Sequence, residues 1–284
     1  MSSSNIAPAK KMTFSVAITT ENYRNMINNT LKEPGRANRF IAAITSAVAT
    51  TPALQTCDPS SILAGGLLGE ALNLSPSPQL GQYYLVPFND KNKGKVAQFQ
   101  LGYKGYIQLA IRSGQYKKLN VLAIKEGELI RFDPLNEEIE VRLIEDEEER
   151  EQANTIGYYA MFEYTNGFRK AIYWSKRKME AHALKYSKGY QAKKGYTFWE
   201  KDFDGMAYKT MLRQLISKWG IMSIDMASAI DSDMAVINED GTKDYVDNDA
   251  TVFDMEPAQE ATPQQSQPEP AVPVDAKAAL FGNN

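Results

Sequence analysis

The sequence has one cysteine and one histidine in 284 residues, and each shortage removes a class of protein. Cys57 alone forms no intramolecular disulfide. With only His182 beside it, a Cys/His zinc site, a His-ligated metal centre or a haem has too few ligands. This usage fits a reducing compartment, so a cytoplasmic protein is expected. No apolar stretch approaches the ~18–20 residues that span a bilayer. The apolar piece Met12 to Ile18 is short, is interrupted by Thr13 and Ser15 and lacks a cleavage pattern, so neither membrane insertion nor export is expected.

Signals for nucleotide and hydrolytic chemistry are equally thin. There is no G-x-x-x-x-G-K-[ST] run to cradle phosphates, so a P-loop motor is excluded from the expectations. Gly65-Gly66-Leu67-Leu68-Gly69 neither follows a strand nor has the spacing of a dinucleotide fingerprint. His182 lies among Lys178, Lys185 and Lys188 with no Ser or Cys nucleophile in a recognisable frame, and reads as a surface histidine on a basic helix. Cys57 reads as an inert, half-buried thiol. Glu126, Glu128, Asp133, Glu137 and Glu138 form a dense group of carboxylates in the folded body. A Mg²⁺-dependent nuclease would use them, while a charged strand edge or loop accounts for them as well. No cofactor and no metal is expected, and nothing asks for an enzyme.

What is present is a globular composition with a divided charge. With 43% hydrophobic and 24% charged residues, the chain can bury one large core or two small ones. Residues 1–225 hold 30 Lys and Arg against 23 Asp and Glu, whereas residues 226–284 hold 2 against 12, so a basic body precedes an acidic tail. Within the body, residues 76–125 are net +7, 126–151 net −9 and 163–218 net +8. Basic blocks that also contain many Tyr and Trp suit a polyanion-binding groove, because cations neutralise phosphates and aromatic faces stack on bases. A solvated surface with charge pairing between blocks is the plainer alternative.

Hydrophobic periodicity predicts an α+β fold of small antiparallel hairpins with packed helices. Residues 1–20 read as a flexible arm, 21–230 as the core and 231–284 as a disordered acidic tail. Two N-terminal helices run from Glu21 to about Ala49, broken at Pro34-Gly35, and are open to packing against a neighbouring protomer. An apolar helix over Ile62 to Leu74 follows, its Gly65, Gly66 and Gly69 suggesting close packing. Tyr83 to Phe88 and Val96 to Leu101 make a hairpin whose Pro87 points to an edge strand. Gly102 to Gly114 is a helix with Lys104, Gln108 and Arg112 as its polar stripe. Leu119 to Ile124, Leu129 to Phe132 and Ile139 to Ile144 are strands, and Asp146 to Glu151 is a charged loop. Asn166-Gly167 predicts a type I′ hairpin between Gly157 to Tyr164 and Phe168 to Trp174. Lys176 to Lys185 is helical, Tyr186 to Gly195 is a Lys/Gly/Tyr-rich loop, and Phe198 to Trp219 is one long helix with Lys209 and Arg213 on its polar side.

Three segments become specific in their order and spacing. The first is Leu72-Asn73-Leu74-Ser75-Pro76 through Gly81-Gln82-Tyr83-Tyr84-Leu85-Val86-Pro87-Phe88. The second runs from Gln98-Phe99-Gln100-Leu101-Gly102-Tyr103-Lys104-Gly105-Tyr106-Ile107 to Ala110 and Arg112-Ser113-Gly114-Gln115-Tyr116. The third is Trp199, Met206-Ala207, Lys209-Thr210 and Arg213. Together they resemble the RecT family of phage single-strand annealing recombinases, with weaker similarity from about residue 21 to 225. The resemblance implies a protein that binds single-stranded DNA with little sequence preference in a basic groove and pairs it with a complementary strand without ATP, in homologous recombination. It further implies an annealed duplex intermediate and an oligomeric ring or helical filament. A phage exonuclease and a host single-strand binding protein are the implied partners, in the cytoplasm of a bacterial host.

By position, Lys104, Gln108, Arg112, Lys209 and Arg213 are the first candidates for backbone contacts, with Lys91, Lys93, Lys95, Lys117 and Lys118 behind them. Tyr103 is a candidate for base stacking, whereas Tyr106 and Trp199 fit core packing better. Solubilising an amphipathic helix is the plainer role open to Lys104 and Arg112, and pairing with Glu200 and Asp202 the one open to Lys209 and Arg213. A passive single-strand binding protein and a protein-interaction module are the remaining rivals.

Overall fold

A computed structural model describes residues 12–90, 92–136, 138–195 and 197–245. In chain order the helices are α1 (Phe14–Ala17), α2 (Glu21–Leu31), α3 (Pro34–Ala49), α4 (Pro59–Ala71), α5 (Tyr103–Arg112), α6 (Glu147–Gln152), α7 (Lys176–Tyr186), α8 (Lys188–Gln191), α9 (Phe198–Lys201), α10 (Phe203–Trp219) and α11 (Ile224–Ser232). The strands are β1 (Tyr83–Asp90), β2 (Gly94–Leu101), β3 (Tyr116–Lys125), β4 (Leu129–Asp133), β5 (Glu138–Val141), β6 (Thr155–Tyr164), β7 (Arg169–Ser175), β8 (Ala235–Ile237) and β9 (Lys243–Tyr245). They form a four-stranded sheet ordered β1-β2-β8-β9, a three-stranded sheet ordered β3-β6-β7 and a separate β4-β5 ribbon, all antiparallel. The α+β expectation holds, and Pro87, which has no N–H to give a second neighbour, sits on an edge strand.

The two larger cores share one helix. The first joins α1 to α5 and α11 to the inner face of β1 and β2, with Phe40, Ile44, Ile62, Tyr83, Phe99 and Tyr106 among its buried members. The second packs Tyr158, Ala160 and Phe162 of β6 against α7, α9 and α10. Helix α10 sends Leu212 and Ile216 into the first core and Ala207, Met211 and Leu215 into the second. A helix buried on two sides leaves little room for a polar stripe.

Several local expectations are corrected. The arm is structured from residue 12 onward: α1 inserts Phe14 and Ala17 into the protein, while the earlier residues lie outside the described ones. The two N-terminal helices spend their apolar stripes, Ile27, Leu31, Phe40, Ile44 and Val48, inside the chain's own core. Asp146 to Glu151 is mostly the helix α6, because Asp146 accepts from the Glu149 N–H and the carboxylates of its first turn suit the positive end of the helix dipole. Of the Asn-Gly pair only Gly167 has positive φ, at 87°, so the hairpin turns through a three-residue loop closed by Gly167 N–H to Tyr164 C=O. The long helix breaks into α9 and α10 at Asp202, whose side chain caps α10 through the Gly205 N–H. The expected disorder from residue 231 gives way to order through 245: the three-residue strand β8 pairs Ala235 with Phe99. Three apolar residues are too short a run for a periodic signal, and a partner far away in the chain stabilises them. Residues 246–284 lie outside the described residues.

Candidate nucleic-acid interface

The hairpin β1-β2 has two unlike faces. Alternation turns Tyr83, Leu85, Phe99 and Leu101 into the first core. The opposite face carries Tyr84 and Val86 across from Gln100 and Gln98. That face is one wall of a cleft of about 660 Å³ whose other wall is built by α7, α8, the loop 192–197, α9 and α10. Four cations line it, Lys188, Lys194, Lys209 and Arg213, together with His182, Tyr186, Phe198 and Trp199, and no carboxylate is among its lining residues.

Local sequence explains why the second wall holds its shape. Ser187 caps α8 by accepting from the Tyr190 N–H, which sets Lys188 at the first helical position. Glu200 reaches back to accept from the N–H groups of Thr197 and Gly195, closing the loop that presents Lys194. Trp199 packs on Phe203 with ring centroids 5.1 Å apart. Phe198 leans on Tyr84 at 5.8 Å, joining α9 to the hairpin. His182 is half-buried between Trp174, Tyr186 and Trp199, a correction to the surface histidine expected from its basic neighbours. Burial first, then the charges of Lys185 and Arg213, lower its pKa, so it lines the cleft as a neutral ring at neutral pH.

The first-ranked candidates separate. Lys209 and Arg213 reach the cleft, and both pair with Asp233, at 2.9 and 2.7 Å. Lys209 is buried, which corrects its placement on a polar helix side; its partner comes from the segment expected to be disordered. Lys104, Gln108 and Arg112 are exposed on α5, outside the cleft lining. Arg112 donates to the C=O groups of Leu72 and Asn73 and so ties α5 to the end of α4. Tyr103 is half-buried with its ring edge-on to Tyr208 at 5.8 Å. Among the second-ranked residues, Lys117 and Lys118 turn to Glu163, Lys93 pairs with Asp244, and Lys95 donates to Thr56 Oγ1 at 3.3 Å. Lys91 lies outside the described residues.

The cleft also holds Lys188, Lys194, Gln98 and Gln100, which are not among the candidates expected from the sequence. Two signals pointed to them: glutamines at alternate positions of an otherwise apolar strand, and a Lys/Gly/Tyr-rich loop directly before a capping box.

Within the acidic segment, Glu128 has a structural use. Glu128 is fully buried and accepts from Arg150 Nε at 2.6 Å, from the Lys125 N–H at 2.7 Å and from the Ile144 N–H at 3.2 Å. Burial pushes its carboxyl up, but these hydrogen bonds outweigh it and hold the pKa below the usual carboxylate range. Among the described residues no three of His, Cys, Asp and Glu gather as a metal site. Because the folded pKa is the lower one, the pair's contribution to stability is complete above the unfolded pKa of about 4.3 and disappears as pH falls through the folded value. Thermal melting between pH 7 and pH 3 should therefore show a decline that is smaller in Glu128→Gln; identical pH dependence would remove Glu128 as a source.

Fold and cleft describe an α+β protein whose cationic, aromatic-lined trough has the chemistry to hold a polyanion. Comparison with known proteins narrows this class: the RecT family model matches residues 38–249, and the chain belongs to that family of phage-type single-strand annealing recombination proteins. It is 41% identical to the Bacillus subtilis (strain 168) protein YqaK over 252 residues, 85% of this chain and 81% of that protein. It is 32% identical to Protein RecT of Escherichia coli (strain K12) over 200 residues, 69% and 71% of the two chains. Among the described residues no helix is long and apolar enough to cross a membrane.

Proposed function

We propose that the chain binds single-stranded DNA along this cleft and anneals it to a complementary strand without nucleotide hydrolysis. One observation carries the reading: four cations and four aromatic rings line a single trough, and among the described residues no carboxylate is in its lining. Annealing is opposed by repulsion between two phosphate backbones, and a scaffold that neutralises one of them lowers that barrier. The product duplex supplies the driving force, with stacking worth ~1.4 kcal/mol per base-pair step, so no fuel is required. Lys104 extends the path beyond the cleft mouth, because its stem and the Tyr84 hydroxyl both lie against Gly81, and Tyr84 packs on Phe198. A longer strand would be held by successive protomers in a ring or filament. A phage exonuclease supplying the strand and a host single-strand binding protein complete the proposed setting, in a bacterial cytoplasm.

The direct test mixes two complementary dye-labelled oligonucleotides with the protein in the absence of ATP, follows energy transfer, and resolves the products on a denaturing gel. Pairing faster than the protein-free control, absent for non-complementary strands and with full-length products, is expected. Slowed pairing would instead identify a protective single-strand binder, and shortened products a nuclease.

A further inference from the structure

Beneath the cleft, one carboxylate serves two cations. Asp233 is buried and accepts from Lys209 Nζ, Arg213 Nη1 and the Leu101 N–H at 2.9, 2.7 and 2.9 Å, with the Tyr106 hydroxyl at 3.5 Å. Two positive charges against one negative leave a net positive charge at the floor. The two cations are not equivalent, since the Lys209 side chain is 10% exposed and that of Arg213 36%. A lysine's three N–H donors sit on one nitrogen, and Asp233 holds that nitrogen in a nearly closed site. An arginine has a planar fork of five N–H donors, so one bond to Asp233 leaves the others available to a second acceptor.

Asp233 is itself held by several anchors. Met234 follows it at φ 69°, a left-handed conformation uncommon for a long side chain. Strand β2 fixes that turn from both sides: the Met234 N–H donates to Phe99 C=O at 2.8 Å, and Gln98 Nε2 donates to Met234 C=O at 2.7 Å. Gln98 also accepts from Gln100, so the polar wall of the cleft and the anchor of Asp233 are one network.

We infer that Asp233 is a positioning residue of the cleft: it clamps the Arg213 guanidinium so that its remaining donors face a phosphate, and Lys209 serves as the structural counter-ion of Asp233. This rests on the reading of the cleft as a single-strand site. It separates Lys209 from Arg213, which charge and sequence spacing treat alike.

The test titrates a fluorescent oligothymidylate with the full-length protein over a series of salt concentrations. Arg213→Gln is expected to weaken binding about tenfold and to reduce the log–log salt slope by about 0.7, the value of one neutralised phosphate on a single strand. Arg213→Lys keeps the charge, yet should resemble Arg213→Gln, because its donors share one nitrogen held at Asp233 and it lacks the far edge of the guanidinium that reaches outward. Asp233→Asn should reduce the slope by the same increment, and should have no further effect in the Arg213→Gln background. Simple charge counting predicts the reverse for Asp233→Asn, tighter binding with a steeper slope. That result, or an Arg213→Lys protein that binds like the parent, would overturn the inference while leaving the cleft as the DNA site. Should Asp233→Asn fail to fold, the two Arg213 variants decide alone. A parent protein without salt-dependent binding would remove the proposed function and this inference together.

Discussion

Changing Lys188 and Lys194 together to glutamate is expected to weaken binding of a single-stranded oligonucleotide by about 100- to 1,000-fold near 0.1 M salt and to abolish annealing. On the proposed function the effects add: two cation–phosphate contacts would disappear and two repulsions replace them, each on the order of 1 kcal/mol at a water-exposed site. The salt slope should become shallower by about 1.4, the share of two phosphates. Both lysines are exposed, and a melting curve taken beside the titration separates loss of binding from loss of folding. A parallel variant, Lys117→Gln with Lys118→Gln, removes cations whose ammonium groups turn to Glu163 outside the cleft, and should bind within about threefold of the parent. If that pair of results came out reversed, the interface would lie on the α5 and β3 side of the molecule.

A single methyl group at Gly105 should do comparable damage by another route. A Cβ there would stand 2.1 Å from the Gln82 carbonyl oxygen and 2.8 Å from Leu101 Cδ1. The first of these is backbone, and it cannot retreat: Gln82 C=O also accepts the Gly102 N–H at 2.8 Å, and the Gln82 side chain accepts the Ser75 N–H at 2.7 Å. Overpacking against a fixed carbonyl belongs at the upper end of such penalties, about 3 kcal/mol or more. For a folded body of this size that lowers the melting temperature by roughly 6–12 °C. Gly114 at the other end of α5 makes the contrast: its φ is +69° and nothing stands within 4 Å of the added carbon. Gly114→Ala should therefore cost only about 1 kcal/mol, a conformational penalty without a clash. Equal melting of the two variants would show that the 81–82 backbone yields, and that the close approach of α5 is not a constraint on the fold.

These two residues show how unevenly the molecule can be read from its sequence. Gly102, Gly105 and Gly114 look alike in the motif, yet only the first two meet a neighbour. The alternation in β1 and β2 and the spacing in α2, α3 and α5 were legible because a buried face repeats every second residue in a strand and every third or fourth in a helix. The helix α6 was missed because its stabilisation is capping and dipole rather than an apolar stripe; none of its residues is buried. Lys209 and Arg213, one turn apart, also looked alike. Their difference comes from Asp233, which is 24 and 20 residues further on and reaches them only because β8 pairs with β2.

Local pattern was therefore enough for the amphipathic helices α2, α3 and α5, the β1-β2 and β6-β7 hairpins and the family, since each rests on residues that are neighbours in the chain or stand in a fixed linear order. The cleft was not legible in that way. Its walls come from β1-β2, the 186–199 stretch, α10 and the turn at Asp233, and which cations face solvent depends on which carboxylates the fold brings beside them. Side-chain ionic pairing acts over a few ångströms of space regardless of distance along the chain. Only the packed arrangement of the two cores around α10 sets those few ångströms.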